Sequence, residues 1–364
     1  MIPFLYKNSE RSFADNGYGP LSDATSCAVT EEANGAFQLK LSIPATTPRL
    51  SRLEVGNLIL AKPNPFANAQ PFRISHISKG LQGAIDVTAQ HVAYDLAAIP
   101  VAPFSGTAMS ASTAMLNMKN GQVITLSRDR FDFRTDLSVN RDITVEKYTQ
   151  AWDLLGSGEN TLVGVYGGQL EFDGWTVWLR AARGSDRGFV IAYGQNMTEL
   201  TCDTDFSEVY TAVYGWGKWG NTTRTDVEPT DAGHSPTPPP PYGAGFTRYQ
   251  LVDLTSEFSS APTTSNFAAA VAQKARDFTR QPKVELKVGI VPPGSRGLQT
   301  LEELHLWDTV TLRHAGLGID TKAVVCQTVF DVLRERYTSV DIGNRLTGVA
   351  TVIARNSKRI KKAL

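Results

Sequence analysis

Three glycines in the run GWGKWG, Gly215, Gly217 and Gly220, have the G-x-G-x-x-G spacing that holds a pyrophosphate in dinucleotide-binding proteins. That motif follows a strand and opens a helix, whose N-terminus binds the phosphate. Here the run ends a predicted strand that starts near residue 209, and a polar stretch without a helical pattern follows it. The motif therefore gives nucleotide binding little support.

Histidine and cysteine spacing argues against a metal or redox centre. No histidine pair has the HExxH or HxH spacing of a zinc site, and no cysteine pair has the CxxC spacing. Isolated cysteines of this kind are typical of small buried residues. We therefore predict no metal, no cofactor and no redox role. The residues concerned are His76, His91, His234, His305, His314, Cys27, Cys202 and Cys326.

Paired carboxylates could in principle serve as the acid and the base of a glycosidase. The pairs are Glu31 with Glu32, Glu171 with Asp173, and Glu302 with Glu303. Any chain of this length contains such pairs, and solvated positions in strands and turns are their commoner use. Neither a Cys-His arrangement nor a Gly-x-Ser-x-Gly motif supplies a nucleophile. We predict no catalytic residues and no enzymatic activity.

Four tryptophans, Trp175, Trp178, Trp216 and Trp219, could stack on sugar rings. Trp175 and Trp178 are three positions apart, so a regular strand places them on opposite faces and they form no common platform. Packing in a core or an interface is the favoured interpretation, and sugar binding is the alternative.

Composition limits the class of protein. A chain of 364 residues is long enough for two to four domains. Lys and Arg total 36, as do Asp and Glu, so no overall charge attracts nucleic acid or anionic membrane. The N-terminus lacks a signal-peptide pattern, and no apolar run approaches the roughly 18 to 20 residues of a membrane span. We expect a protein that is made and folded in the cytoplasm.

The first hundred residues carry two hairpin signals. In SCAVTEEANGAFQLKLSIP, two alternating segments flank Asn34-Gly35, a pair that favours a tight turn. A second alternation surrounds Lys79-Gly80. Residues 1–101 therefore predict a small antiparallel barrel or sandwich.

A mixed α+β segment is predicted next, over residues 102–198. Residues 108–120 and 144–158 have apolar side chains at helical spacing, and Asp173-Gly174 marks a further hairpin turn. The apolar face of the second helix would consist of Val145, Tyr148, Trp152 and Leu155.

The last part of the chain begins with a polar, Pro-rich stretch at 221–245, which has too few apolar residues for a core and predicts a long surface loop. Residues 263–281 predict a helix, and residues 284–290 alternate as a strand does. More strands follow from residue 304. The helix would bury Phe267, Val271, Ala275 and Phe278.

Three groups of sequence runs together suggest one family. The N-terminal part has MIPFLY, NGYGPL, SDATSCAVTEEANG, LAKPNP, PFRI and AQHVAYDL in this order. The middle has YGGQLEFDGWTVWLRAARGSDRGFVIAYGQNMTEL and then YTAVYGWG, and the C-terminal part has LHLWDTVTLRHAGLGIDTKAVVCQTVFDVLRERYTSVDIGN. These runs resemble the phage minor structural proteins of the tail-associated or prophage endopeptidase tail family. The resemblance departs at Trp307, where the family has glycine before the aspartate that is Asp308 here.

The resemblance implies a β-rich α+β fold like the hub of contractile tails, with two related β-barrels per chain, each with an α+β companion, and three chains in a ring. Six near-equivalent surfaces of a threefold ring could dock on a sixfold tail ring. The implied partners are two further copies of the chain, the hexameric distal tail protein, the C-terminal end of the tape-measure protein, and receptor-binding, fibre or spike proteins. The implied location is the tip or baseplate of the virion tail, assembled in the bacterial host cytoplasm.

On this basis the sequence divides into five segments. They are a first β-barrel (1–101), its α+β companion (102–198), a second β-barrel (199–258 with 298–352) carrying the Pro-rich loop, a helix-strand insert (259–297) and a basic C-terminal tail (353–364). The tail is either solvated or in contact with an acidic partner. The alternative functions are a tail-associated peptidoglycan hydrolase and a carbohydrate-binding receptor module. In the family, wall-cleaving activity usually resides in extra C-terminal domains.

Overall fold

The computed structural model describes residues 1–80, 83–158, 160–192, 197–205, 210–229, 248–276, 283–290, 304–314 and 319–343. These residues are rich in β-strands and contain few helices. Two compact units divide the chain, and each is described by itself. Unit 1 comprises Met1–Thr201 and Leu286–Leu364, and unit 2 comprises Cys202–Glu285.

The first fourteen strands lie in unit 1. They are β1 (Phe4–Tyr6), β2 (Gly19–Pro20), β3 (Ser26–Glu32), β4 (Phe37–Pro44), β5 (Leu58–Ala61), β6 (Gln70–Lys79), β7 (Ala84–His91), β8 (Pro100–Val101), β9 (Phe104–Ser110), β10 (Asp132–Thr135), β11 (Asn140–Val145), β12 (Thr149–Gln150), β13 (Gln169–Asp173) and β14 (Thr176–Arg180).

The remaining strands are β15 (Asp186–Ala192), β16 (Met197–Asp205), β17 (Ala212–Trp219), β18 (Thr222–Pro229), β19 (Tyr249–Asp253), β20 (Lys283–Ile290), β21 (Thr309–His314), β22 (Ile319–Asp331) and β23 (Arg336–Gly343). The α-helices are α1 (Ala111–Asn120), α2 (Thr125–Arg130), α3 (Ala151–Leu154), α4 (Leu162–Tyr166) and α5 (Thr264–Ala275). Three short 3₁₀ helices cover Leu50–Arg52, Val92–Ala98 and Thr255–Glu257.

One large sheet in unit 1 joins the N-terminal strands to the C-terminal ones, in the order β23-β22-β3-β4-β7-β6-β5-β1-β2. The long strand β22 makes the junction. Its first half pairs with β21, from Thr309↔Val324 to His314↔Ile319, and its second half pairs with β3. A register shift at Cys326 separates the two halves. Because one strand belongs to both groups, the N-terminal strands and the strands from β21 to β23 share a continuous backbone hydrogen-bond network.

The hairpins predicted in the first hundred residues are confirmed. Strands β3 and β4 pair antiparallel around a turn in which Asn34 has a φ of +46°, a conformation that asparagine tolerates well. Strands β6 and β7 also pair antiparallel. Burial alternates from residue to residue along β3 and β4. One face of each strand therefore lies in the core, because successive side chains of a strand point to opposite faces.

Several of the elements predicted within residues 102–198 are confirmed. Helix α1 forms where expected, and the Ser110 hydroxyl caps it by accepting the N–H of Thr113 at 3.1 Å. Strands β13 and β14 form the hairpin around Asp173-Gly174, and β10 joins them in parallel with β14.

The predicted helix over residues 144–158 is wrong for most of its length. Val145 ends strand β11, Tyr148 is 66% exposed, and only Ala151–Leu154 are helical. Branched side chains before Glu146 favour the extended chain, and β11 finds β9 as a partner. Tertiary pairing here overrides the apolar spacing.

Unit 2 packs α5 on a sheet with the order β18-β17-β19. Helix α5 buries Phe267, Val271 and Ala275, as predicted, and the Thr263 hydroxyl caps it by accepting the N–H of Asn266 at 3.2 Å. Phe278 lies outside the described residues. The five-segment division of the sequence stays a prediction, although β17 to β19 pack with a helix that it assigns to another segment.

The loop predicted at 221–245 is wrong in its first part, because Thr222–Pro229 form strand β18. Threonine and valine have high strand propensity, and all eight residues pair with β17. A strand at the edge of a sheet can be polar, since only part of it faces a core. Residues 230–247 lie outside the described part of the chain, as do those after 343, where the predicted second β-barrel would end.

Candidate functional site

The carboxylates singled out in the sequence lead to a cleft in unit 1 with a volume of about 420 Å³. It lies where β3, the β13-β14 hairpin and the strands returning from residue 304 come together. Its lining residues are Glu31, Asn64, Phe66, Ala67, Asp136, Glu171, Arg180, Ala182, Arg183, His305, Leu306, Thr328 and Tyr337.

An ion pair between Glu31 and Arg183 forms one wall. Arg183 Nη2 donates to Glu31 Oε1 at 2.8 Å, and Arg183 Nη1 donates to the carbonyl of Leu170, also at 2.8 Å. The Glu31 side chain is only 7% exposed, and that of Arg183 is 16% exposed. A buried carboxylate needs such a partner, since an unpaired buried charge costs several kcal/mol.

A second cluster centres on Arg180. Its Nε donates to Glu171 Oε2 at 2.7 Å, and its Nη1 lies 3.5 Å from Asp136 Oδ2. The guanidinium also lies 3.6 Å from the centre of the Trp178 ring, and Arg134 lies 5.4 Å from it. Trp178 is therefore held by two guanidinium groups as well as by its strand.

Aromatic groups form the rest of the cleft. Phe66 stacks on His305 with a centroid distance of 4.2 Å, and Phe66 is 46% exposed. The Tyr337 hydroxyl donates to the carbonyl of Leu304 at 3.1 Å, and burial raises the pKa of Tyr337.

The turn before β21 is organised by Asp308, whose side chain is buried. Its Oδ1 accepts the N–H of Ser185 at 2.8 Å, and its Oδ2 accepts the N–H of His305 at 2.8 Å. Trp307 adopts a φ of +74°, which is unusual for a residue with a side chain. The glycine that the family pattern has at this position would adopt that conformation without strain.

The cleft is suited to structural ion pairing rather than to acid catalysis. A glycosidase needs two carboxyl groups that are free to act on the substrate. Here Glu31 is engaged in an ion pair with Arg183 at 2.8 Å, and Glu171 is engaged in one with Arg180 at 2.7 Å.

Of the predicted acidic pairs, the structure brings Glu31 and Glu171 to the same cleft but separates each from its sequence partner. Glu32 accepts the N–H of Ala36 in the hairpin turn at 3.3 Å, and Asp173 accepts Gln70 Nε2 at 2.8 Å. Glu302 and Glu303 lie outside the described residues. Sequence reasoning missed the arginine partners. Arg183 lies 152 positions from Glu31, and Arg180 meets Glu171 only because β13 and β14 pair as a hairpin.

The histidines are dispersed. His91 is fully buried, its Nδ1 accepts the N–H of Ala93, and burial lowers its pKa from the ordinary 6.5 to about 3. His76 is exposed and His314 lies in β21, while His234 falls outside the described chain. Within the described ranges, no group of three His, Cys, Asp or Glu side chains is placed to hold a metal.

Two of the cysteines, Cys27 and Cys326, are buried, as predicted. Burial raises the pKa of Cys27 to about 12, so its reactive thiolate is not formed at neutral pH. Cys202 lies in β16.

The four tryptophans divide between core and surface. Trp175 stacks on Phe13 with ring centroids 5.9 Å apart, and Trp219 packs beside Phe258 and Phe267 in the core of unit 2. The packing interpretation holds for these two, whereas Trp216 is on the opposite face of β17 from that core.

The run GWGKWG ends a strand, as predicted, because its first five residues are the last five of β17. Gly220, with a φ of +58°, forms the turn into β18 instead of opening a helix. The arrangement therefore lacks the helix N-terminus that a pyrophosphate needs.

Solved structures share this fold over most of the chain. Prophage tail protein gp18 from Listeria monocytogenes EGD-e matches with a TM-score of 0.58 and 14% identity, over 99% of this chain and 100% of that one. The 43 kDa tail protein of prophage MuSo2 from Shewanella oneidensis matches with a TM-score of 0.57 and 11% identity, over 88% and 94%. A chain of the Francisella PdpA-VgrG complex matches with a TM-score of 0.51 and 10% identity, over 94% and 56%. The fold is thus that of phage tail proteins.

The sequence itself also matches a family profile. Residues 185–352, a little under half of the chain, match the profile of the prophage endopeptidase tail family. The resemblance that the sequence runs suggest is confirmed by this match and by the tail proteins that share the fold. No curated protein sequence matches the chain. None of the described helices is both long and apolar enough to cross a membrane.

Proposed function

We propose that the protein is the hub of a phage tail tip or baseplate, a ring of three chains that adapts the sixfold tail to a threefold tip. The observation that carries this proposal is the match along the full length of prophage tail protein gp18. The likeness to a chain of the PdpA-VgrG complex supports a role within a larger tail-like assembly.

The shared strand β22 supports the same role. A symmetry adaptor has to present two similar surfaces per chain at a fixed spacing, because six of them must match one ring. Strand β22 hydrogen-bonds both to β3 and to β21, so the N-terminal and C-terminal strands of unit 1 keep a fixed geometry.

The proposed partners are two further copies of the chain, the hexameric distal tail protein, the C-terminal end of the tape-measure protein, and receptor-binding, fibre or spike proteins. Assembly would take place in the host cytoplasm, and the final location would be the tail tip or baseplate. The charges of the chain sum to zero, which gives no reason to add nucleic acid to this set.

The mass of the purified protein tests the proposal, measured by light scattering alone and with the neighbouring distal tail protein. We expect a trimer, or a monomer that assembles with the distal tail protein into a complex of three chains of this protein and six of the partner. A stable monomer that does not bind the distal tail protein would contradict the proposed hub function.

The competing function is a tail-associated peptidoglycan hydrolase, which the cleft with Glu31 and Glu171 would have to serve. The arginine pairing of both carboxylates favours the structural role. We expect the protein to release no soluble fragments from purified cell walls. Release that Glu171→Gln abolishes, without a change in stability, would establish the hydrolase instead.

A further inference from the structure

The central strand of unit 2 has an unusual pattern of side-chain sizes. In β17, Tyr214 and Trp216 alternate with Gly215 and Gly217, and it is the glycines that are buried. A sheet with one covered face normally turns its large apolar side chains toward the core. Here the large side chains point away from it, and Tyr214 is 37% exposed.

Close packing on the inner face of β17, by α5 and by the Trp219 ring, explains the two glycines. A Cβ atom on Gly215 would lie 2.3 Å from Val271 Cγ2, far inside van der Waals contact. A Cβ atom on Gly217 would lie 2.4 Å from the ring of Trp219. Glycine is therefore needed on the face of β17 that packs in the core of unit 2. The core packing does not account for the aromatic residues on the opposite, outer face of β17.

The strand register collects further apolar residues on that outer face. Tyr214 pairs with Val227 on one side and with Leu251 on the other, so the three side chains form one row. Val227 is 43% exposed and Leu251 is 62% exposed. Trp216 and Tyr249 occupy the adjoining rows, and Tyr249 is 51% exposed.

The outer face is nearly uncharged. Lys218 and Asp253 are its charged residues within the described strands, and both lie toward the same end of β17. The Asp253 carboxylate is engaged with the N–H of Thr255 at 2.8 Å. Thr223 and Thr225 are exposed and add hydroxyl groups beside the aromatic side chains. Such a surface complements a neutral ligand rather than a phosphate, a nucleic acid or an acidic peptide.

The size of the face argues against a second copy of the chain as its occupant. The exposed fractions of Tyr214, Val227, Tyr249 and Leu251 together correspond to about 400 Å² of surface, taking the usual full area of each side chain. A standard protein interface covers about 800 Å² on each partner.

From these observations we infer that the outer face of unit 2, defined by Tyr214, Trp216, Val227, Tyr249 and Leu251, binds a neutral polysaccharide. Aromatic side chains offer a flat apolar surface for the C–H faces of sugar rings, and their polar groups meet the hydroxyls at the rim. Threonine hydroxyls donate and accept hydrogen bonds in the same way. This site is separate from the cleft in unit 1 and adds a function to the proposed hub.

The test uses the full-length protein and two neutral probes, the hexamer of N-acetylglucosamine and maltohexaose. We expect at least one of them to change the tryptophan fluorescence, with a dissociation constant on the order of 1 mM. The double substitution Tyr214→Ala with Tyr249→Ala should weaken binding about tenfold or more, because it removes two stacking surfaces. Tyr148→Ala, at an exposed tyrosine in unit 1, is the matched control and should bind as the original protein does.

Three results would overturn the inference: binding of neither probe up to about 10 mM, equal binding by the double variant, or a change in its oligomeric mass. The last result would show that the face is a contact between protein chains. Leu251→Thr, a milder change on the edge strand β19, repeats the test should the double variant unfold more easily in urea. The mass of the unsubstituted protein tests the hub separately, so each proposal can fail alone.

Discussion

Asp308 Oδ1 accepts the backbone N–H of Ser185 at 2.8 Å, although 123 positions separate the two residues in the sequence. The other carboxylate oxygen accepts the N–H of His305 at the same distance, and Arg187 Nε lies 3.7 Å away. One buried side chain thus connects the turn before β21 to the segment that enters β15. These two strands then pair in parallel.

We expect Asp308→Ala to lower the free energy of unfolding by roughly 2–4 kcal/mol, because two N–H groups lose their acceptor in a buried site. Urea unfolding followed by circular dichroism measures the change. Glu146→Ala, at an exposed carboxylate, is the control and should change stability by less than about 0.5 kcal/mol. Equal effects of the two substitutions would mean that Asp308 does not organise the turn.

At position 307 we expect the glycine variant to be more stable than the alanine variant, which is the reverse of the usual order. Both Trp307→Gly and Trp307→Ala remove the ring, but only alanine keeps a Cβ at a φ of +74°. We expect the glycine variant to be the more stable by about 1 kcal/mol. At Thr309, within the extended strand β21, alanine should be the more stable of the two. Urea midpoints of the four variants decide whether the positive φ governs the turn.

The contact between Gly215 and Val271 can be tested by a pair of opposite size changes. Gly215→Ala should cost about 1–3 kcal/mol, since the new methyl group meets Val271 at 2.3 Å. Val271→Ala alone opens a space and should also destabilise. In the double variant, we expect the two costs to compensate by at least about 1 kcal/mol. Strict additivity in urea unfolding would show that β17 and α5 are not in close contact there.

Local chemistry was the part of the fold that the sequence could reveal. Asn34-Gly35 and Asp173-Gly174 favour tight turns because these residue types adopt the backbone conformations that such turns need. The buried face of helix α5 is visible in the sequence because its apolar residues recur at helical spacing. The failure at 144–158 has the opposite cause. Its apolar residues are at helical spacing, but pairing of β11 with β9 and of β12 with β8 decided the outcome.

The cleft and the outer face of unit 2 depend on contacts that no short stretch of sequence contains. Glu31 meets Arg183 across 152 positions, and Tyr214 meets Leu251 through strand register. The sequence shows that glycine alternates with aromatic residues in GWGKWG, but it does not show which of the two sets faces the core. Only the position of α5 shows which side of β17 faces the core.

Burial of His91 makes the stability of the protein depend on pH. The folded protein holds the pKa of His91 at about 3, below its ordinary 6.5, because the ring is fully buried. The unfolded chain therefore binds a proton between these two pH values while the folded chain does not. Stability is unaffected by this group above pH 6.5 and falls as the pH is lowered from there toward 3.

At pH 4.5 the loss due to His91 should be roughly 2–3 kcal/mol relative to pH 7.5. Urea unfolding at both pH values measures it. His91→Asn keeps an acceptor for the N–H of Ala93 and should be less stable at pH 7.5, yet lose less on acidification than the original protein. The exposed His76 serves as the control, and His76→Asn should leave the pH dependence unchanged. If His91→Asn loses as much stability on acidification as the original protein, the acid sensitivity arises from the carboxylates and not from the buried imidazole.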